Sequence, residues 1–209
     1  MTRAVFLDAL GTLVELEPPW IGLRQVVPES VDDDRLVAAV RAEMGYYREH
    51  AHEGRDPESL AELRERCAEL ISGELAVPVS AQQLVDSVRF YPSADAEPAL
   101  SELRERGLKL VVVSNWDISL SSVLENCGLA PLLDASISSA EAAAPKPDPA
   151  IFRRALELAG CEAGEVVHVG DTREEDCDGA AAAGIRALLI DRDGGDGDIS
   201  SLTEIVDHL

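Results

Sequence analysis

Short apolar runs alternate with helix-period stretches along most of this chain, and the alternation predicts its architecture. AVFLD (4–8), KLVVVSN (109–115), LDASIS (133–138), EVVHVGD (165–171) and RALLID (186–191) read as strands. Their richness in Val, Ile and Leu suits parallel strands buried on both faces. Between them, 95–106, 119–127, 147–159, 174–183 and 200–208 carry the 3.6-residue period of helices. Strands alternating with helices predict an α/β fold, a doubly wound, Rossmann-like parallel sheet.

One segment breaks the alternation. Residues 15–91 hold no strand signal, but two long amphipathic stretches, each opened by an aspartate that suits an N-cap: VDDDRLVAAVRAEMGYYREHAHE and DPESLAELRERCAELISGEL. A third helix is expected over 81–89. The simplest account is an α-helical cap domain, 15–91, inserted into an α/β core domain made of 1–14 and 92–209. Its hinges fall near 15–19 and 90–93, where prolines interrupt regular structure. The chain shows no internal repeat. GGDGD (194–198) reads as a loop, not a calcium site, because no glutamate follows at the required spacing.

Composition narrows the function. Forty acidic residues against eighteen basic ones give a net charge of −22, which repels phosphate backbones and anionic membranes. Nucleic-acid and membrane partners are therefore not expected. Cys67, Cys127, Cys161 and Cys177 form no CxxC pair and read as reduced thiols. The N-terminal apolar stretch is too short and interrupted for a signal peptide, so the expected location is the cytoplasm. Aromatic residues make up only 4% of the chain, so the core is expected to be mainly Ala, Val, Leu and Ile.

In an open parallel sheet, ligands bind at the carboxyl ends of the strands. The first strand delivers Asp8 there, followed by Gly11 and Thr12. The second delivers Ser114 and Asn115, and the fourth Gly170 and Asp171, with Asp176 a turn later. Lys146, one of only two lysines, stands before the helix that follows the third strand. A carboxylate can attack phosphorus and split one hard step into two. Paired carboxylates suit magnesium, which prefers hard oxygen ligands. A hydroxyl and an ammonium can stabilise charge on a phosphoryl group in transfer.

FLDALGTL (6–13), VVVSN (111–115), APKPDPAIF (144–152) and HVGDTREEDCDGA (168–180) together resemble the haloacid dehalogenase (HAD) superfamily of hydrolases. The resemblance is to the members with a helical C1-type cap, and its first motif is the variant DALGT. It implies a small-molecule substrate, a phosphate ester or other small anion, and Mg2+ as cofactor. Asp8 would be the nucleophile and a metal ligand. The Leu10 carbonyl and Asp171 would complete the ligand set, with Asp176 acting from behind or through water. Ser114 and Asn115 would hold phosphoryl oxygens, Thr12 would assist, and Lys146 would neutralise Asp8 and the phosphate. His168 reads as a packed core histidine. Trp20, Trp116, Tyr46 and Tyr47 read as packing residues, and His50 and His52 as exposed.

One departure matters. In the superfamily's phosphatases, a second aspartate two residues after the nucleophile protonates the leaving group, and here that position is Leu10. Loss of a general acid typically costs about 10²–10⁴-fold. The expected function is a magnesium-dependent phosphatase, weakened or specialised by Leu10, with Asp117 as a possible substitute acid or else the cap of the helix at 119–127. The alternatives are a metal-free 2-haloacid dehalogenase, whose halide leaves without a proton, and a non-catalytic binding protein with the same fold.

Overall fold

The computed structural model describes residues 1–209. In chain order the elements are β1 (Ala4–Leu7), β2 (Val14–Glu17), α1 (Pro19–Leu23), α2 (Asp33–His50), α3 (Pro57–Leu75), α4 (Ala81–Ser87), β3 (Arg89–Pro92), α5 (Ala96–Glu105), β4 (Lys109–Ser114), α6 (Leu120–Asn126), β5 (Ala135–Ser138), α7 (Ser139–Ala142), α8 (Pro149–Ala159), β6 (Val166–Gly170), α9 (Gly179–Ala182) and β7 (Arg186–Leu189).

Five strands form a parallel sheet in the order β5-β4-β1-β6-β7. Alternate residues of each strand enter different cores, as the two-residue period requires. Val5, Leu7, Val112 and Val169 pack with Leu100 and Leu103 of α5 and with Ile205. Ala4, Phe6, Val111 and Val113 pack on the opposite face with Ile151, Phe152 and Ala155 of α8. Helices cover both faces, which is the doubly wound arrangement expected from the pattern.

The inserted helices have a core of their own. Leu23, Leu36, Val40, Leu63, Ile71, Leu75 and Leu84 form a third buried cluster drawn from α1 to α4. Each long helix starts at the aspartate that the sequence suggests. Asp32 accepts from Arg35 N at 2.9 Å, and Asp56 accepts from Ser59 N at 2.8 Å. Each cap satisfies a first-turn N–H that has no partner within the helix.

Three expectations need correction. The segment 15–91 is not free of strands: most of β2 and β3 falls in it, and they pair antiparallel, Val14 with Pro92 and Glu17 with Arg89. This ribbon is separate from the main sheet and is the double crossing into and out of the helical insert. VELE alternates with period two, which is the strand signal overlooked there. The helix expected over 174–183 opens as a π-turn at Arg173–Asp178 before α9, and 200–208 is a 3-10 helix, Leu202–His208. His50 and His52 are half-buried rather than exposed, and His50 Nδ1 lies 2.8 Å from Glu53 Oε1. No helix is long and apolar enough to cross a membrane.

Candidate active site

β1, β4 and β6 are neighbours, so their carboxyl ends bring Asp8, Ser114 and Gly170–Asp171 together. The Asp8 N–H donates to Val169 O at 2.9 Å, which fixes the start of the turn against β6. Gly11 then adopts φ +85°, a conformation that side chains disfavour, and a Cβ there would strike the Asp171 carboxylate. At Gly170 a Cβ would overlap the side chain of Asp176. These two glycines let the acidic side chains close on one point.

The centre of that point is Lys146. Its buried ammonium donates to Asp8 Oδ1 and to Asp176 Oδ1, each at 2.6 Å. The Ser114 hydroxyl donates to the same Asp8 oxygen at 2.9 Å. Asp176 also accepts from the Thr172 N–H at 3.0 Å, and its Oδ1 lies 2.9 Å from His168 Nε2. Carboxylate oxygens of Asp8, Asp171 and Asp176 can all lie within 4.8 Å of one another.

Charge at this point does not balance. Burial would raise the pKa of Asp176, but the Lys146 ammonium and the His168 contact hold it well below the usual carboxylate range. Asp8 is shifted the other way: burial and the charge of Asp176 raise it against the opposing pull of Lys146. Asp171 is open to the cavity, yet partial withdrawal from water and the charges of Asp8 and Asp176 push it up to about 6. Lys146 is shifted upward because Asp8 and Asp176 outweigh its burial. Three carboxylates face one ammonium, so the cluster lacks positive charge. Its donors are all hard oxygens, the set that suits a divalent cation such as magnesium. The residues present therefore fit a metal of that type.

The other residues expected from the sequence fall in several places. The Asn115 side chain donates to Lys146 O at 3.0 Å and Glu175 Oε2 at 2.9 Å, and accepts from Lys146 N at 2.7 Å. Its amide thus contacts the Lys146 backbone and Glu175, and the residue also lines the cavity, where the sequence suggested a role in holding phosphoryl oxygens. Thr12 is fully buried, its Oγ1 lacks a partner, and its carbonyl accepts from Ser93 Oγ and Arg192 Nη2. Thr12 is not among the residues that line the cavity, whereas Leu10 lines it alongside Asp8. His168 is fully buried as expected, but it also touches Asp176. Asp117 does not cap α6, whose N-cap is Ser119. It accepts instead from Ser119 N at 2.6 Å and from the Tyr47 hydroxyl at 2.8 Å.

The sequence reading missed Tyr47, Glu175 and Glu43. The first was placed with packing residues and the others were not singled out. The available signal was the helical spacing of Glu43 and Tyr47, which puts two polar groups in line with the buried Leu36 and Val40. A cavity of about 780 Å³ lies between the inserted helices and the strand ends. The helices contribute Glu43, Tyr47, Arg64 and Leu84, while Asp8, Leu10, Trp116 and Asp171 are on the sheet side. The arrangement can hold a small anion against a buried carboxylate, with a lysine, a hydroxyl and an acidic cluster around it.

Comparison with known proteins identifies the family. The family model for haloacid dehalogenase-like hydrolases matches residues 2–184. Haloacid dehalogenase-like hydrolase domain-containing protein 3 of Bos taurus is 45% identical over 95 residues, 46% of this chain and 38% of that protein. Phosphatase MT3486 of Mycobacterium tuberculosis (strain CDC 1551 / Oshkosh) is 40% identical over 124 residues, 56% of each chain. The matches thus span less than two thirds of these relatives. The solved L-2-haloacid dehalogenase of Xanthobacter autotrophicus superposes over 98% of this chain and 97% of its own, with TM-score 0.75 and 22% identity, a likeness of fold. The chain belongs to the haloacid dehalogenase-like hydrolase family.

Proposed function

We propose that this hydrolase is a magnesium-dependent phosphatase acting on a small phosphorylated metabolite in the cytoplasm. Residues 1–14 and 92–209 would form the catalytic core domain and 15–91 the cap domain. One observation carries the reading: Asp8, Asp171 and Asp176 converge beside a lysine and a serine hydroxyl that both bind one oxygen of Asp8. The relative named as a phosphatase supports it.

Asp8 Oδ1 is held by Ser114 and Lys146, so we assign attack on phosphorus to Oδ2. The Oδ2–P bond forms as the ester P–O bond breaks, leaving an aspartyl-phosphate that water then hydrolyses. Ser114 and Lys146 stabilise charge on the phosphoryl oxygens. Asn115 and Asp176 position Lys146 from two sides, and His168 positions Asp176. Magnesium would be held by Asp8 and Asp171, with the Leu10 carbonyl and Asp176 assisting, and would supply the positive charge that the cluster lacks. Leu10 offers no proton to the departing alkoxide, so esters with good leaving groups should be favoured.

The same leucine favours a second reading, a metal-free 2-haloacid dehalogenase with Asp8 attacking carbon. The acidic group at Asp171 and Asp176 opposes it, because that chemistry has no use for a cation site. Calorimetry with magnesium tests the choice. The parent protein should bind one ion per chain, and Asp171→Asn should weaken binding by about 10-fold or more. Equal affinity in the two proteins defeats the metal-dependent reading.

A further inference from the structure

Glu43 stands in a position that folding alone does not explain. On α2 it follows Leu36 and Val40 on the buried face, and it is itself only 9% exposed. Burying a carboxylate is costly unless a cation or several donors compensate. Glu43 belongs to none of the ion pairs of the inserted helices, which join Arg24 to Asp33 and Glu53 to His50 and Arg66. The Cys67 thiol, a weak donor, is its neighbour, and no N–H or O–H group donates to it. Arg48, Arg64 and Arg89 line the same cavity without pairing with it, and the acids there, Asp8, Asp117, Asp171, Glu175 and Asp176 besides Glu43, outnumber them.

The surroundings suit a cation. Tyr47 lies one turn along the same helix face, and Phe90 and Trp116 line the same cavity with ring centroids 5.0 Å apart. A carboxylate in a cavity that also carries aromatic rings can receive an ammonium group through a charge-assisted hydrogen bond, with cation–π attraction from any ring within reach. Glu43 is on the cap side of the cavity and Asp8 on the sheet side, so a ligand whose phosphate sits at Asp8 can direct its other end toward Glu43.

We propose that Glu43 is the specificity residue of the cap and receives an ammonium group on the leaving portion of the substrate, making the substrate an amine-bearing phosphomonoester. This rests on the phosphatase reading given above. The ammonium supplies the positive charge that Glu43 lacks.

The test compares 2-aminoethyl phosphate with propyl phosphate, which replaces the ammonium by a methyl group of similar size. Binding is measured by calorimetry with magnesium present, on an Asp8→Asn background that prevents turnover. The amine should bind at least about 10-fold more tightly, the scale of one charge-assisted hydrogen bond. Adding Glu43→Gln should shrink the difference to about twofold, and Glu43→Asp, one methylene shorter, should leave it in between. Equal binding of both ligands, or a preference that survives Glu43→Gln, overturns the proposal while the phosphatase reading stands. Failure of both ligands to bind, together with no phosphate release from any ester by the parent protein, overturns the phosphatase reading and this inference with it. Glu43→Gln removes a buried charge and is expected to fold, which a thermal melt confirms.

Discussion

The Tyr47 hydroxyl donates to Asp117 Oδ2 at 2.8 Å, joining α2 of the insert to the loop after β4 across seventy positions of sequence. Beside it, the Ile118 N–H donates to Gly54 O at 3.0 Å, and a side chain at Gly54 would press on Asp117. The helical insert is therefore fastened to the core at the rim of the cavity as well as through the β2–β3 ribbon.

Tyr47→Phe tests this fastening. It removes one donor from a buried carboxylate and should destabilise the protein by about 1–2 kcal/mol in urea denaturation. Limited proteolysis across 15–19 and 90–93 should also quicken, because the cap would open more often. Unchanged cleavage would mean that the ribbon alone sets cap opening.

Lys146 compensates two buried carboxylates at once. Lys146→Met strands Asp8 and Asp176 and should cost about 3–5 kcal/mol of stability along with activity. Adding Asp8→Asn should recover part of that stability, since one stranded charge is gone. Denaturant midpoints of the single and double variants give the comparison.

Much of this site was legible because its residues stand where apolar runs end. Asp8 and Asp171 each follow a buried strand and Ser114 ends one, and strand order alone brings them together. The glycines at 11 and 170 were visible as letters, but their reason is the approach of Asp171 and Asp176, a tertiary fact. The amide of Asn115 closing on the Lys146 backbone, His168 reaching Asp176 and Tyr47 reaching Asp117 span gaps of 31, 8 and 70 residues. The hydrophobic pattern carries no record of such polar pairs. The β2–β3 ribbon was missed because VELE and RFYP are four residues each and hold two glutamates and an arginine.

A surface group gives a pH signature. Glu53 Oε1 lies 2.8 Å from His50 Nδ1 and its Oε2 lies 2.6 Å from Arg66 Nη2. These contacts, His50 first, lower its pKa from the ordinary 4.5 to about 2. A depressed folded-state pKa contributes stability above the unfolded value, lost as pH falls through the folded one. The melting temperature of the parent should drop further between pH 5 and pH 2 than that of Glu53→Gln, an interval chosen to bracket about 4.5 and about 2. Parallel curves would show that the cluster is too exposed to matter.

Leu10→Asp addresses the leaving group. A carboxyl group at that position would supply the missing proton, and turnover of an alkyl phosphate should rise by at least about 10-fold. Aryl phosphates should respond less, because their leaving groups depart without protonation. An equal response from both classes would place the limitation elsewhere than in proton transfer.

The most direct test of the account measures phosphate and halide release side by side. Parent and Asp8→Asn proteins are given a panel of aryl and alkyl phosphates and a 2-haloacid, with magnesium and with chelator. The account predicts phosphate release that requires magnesium, is lost in Asp8→Asn, and is not accompanied by halide. Halide release in the presence of chelator, with no phosphate from any ester, would contradict it.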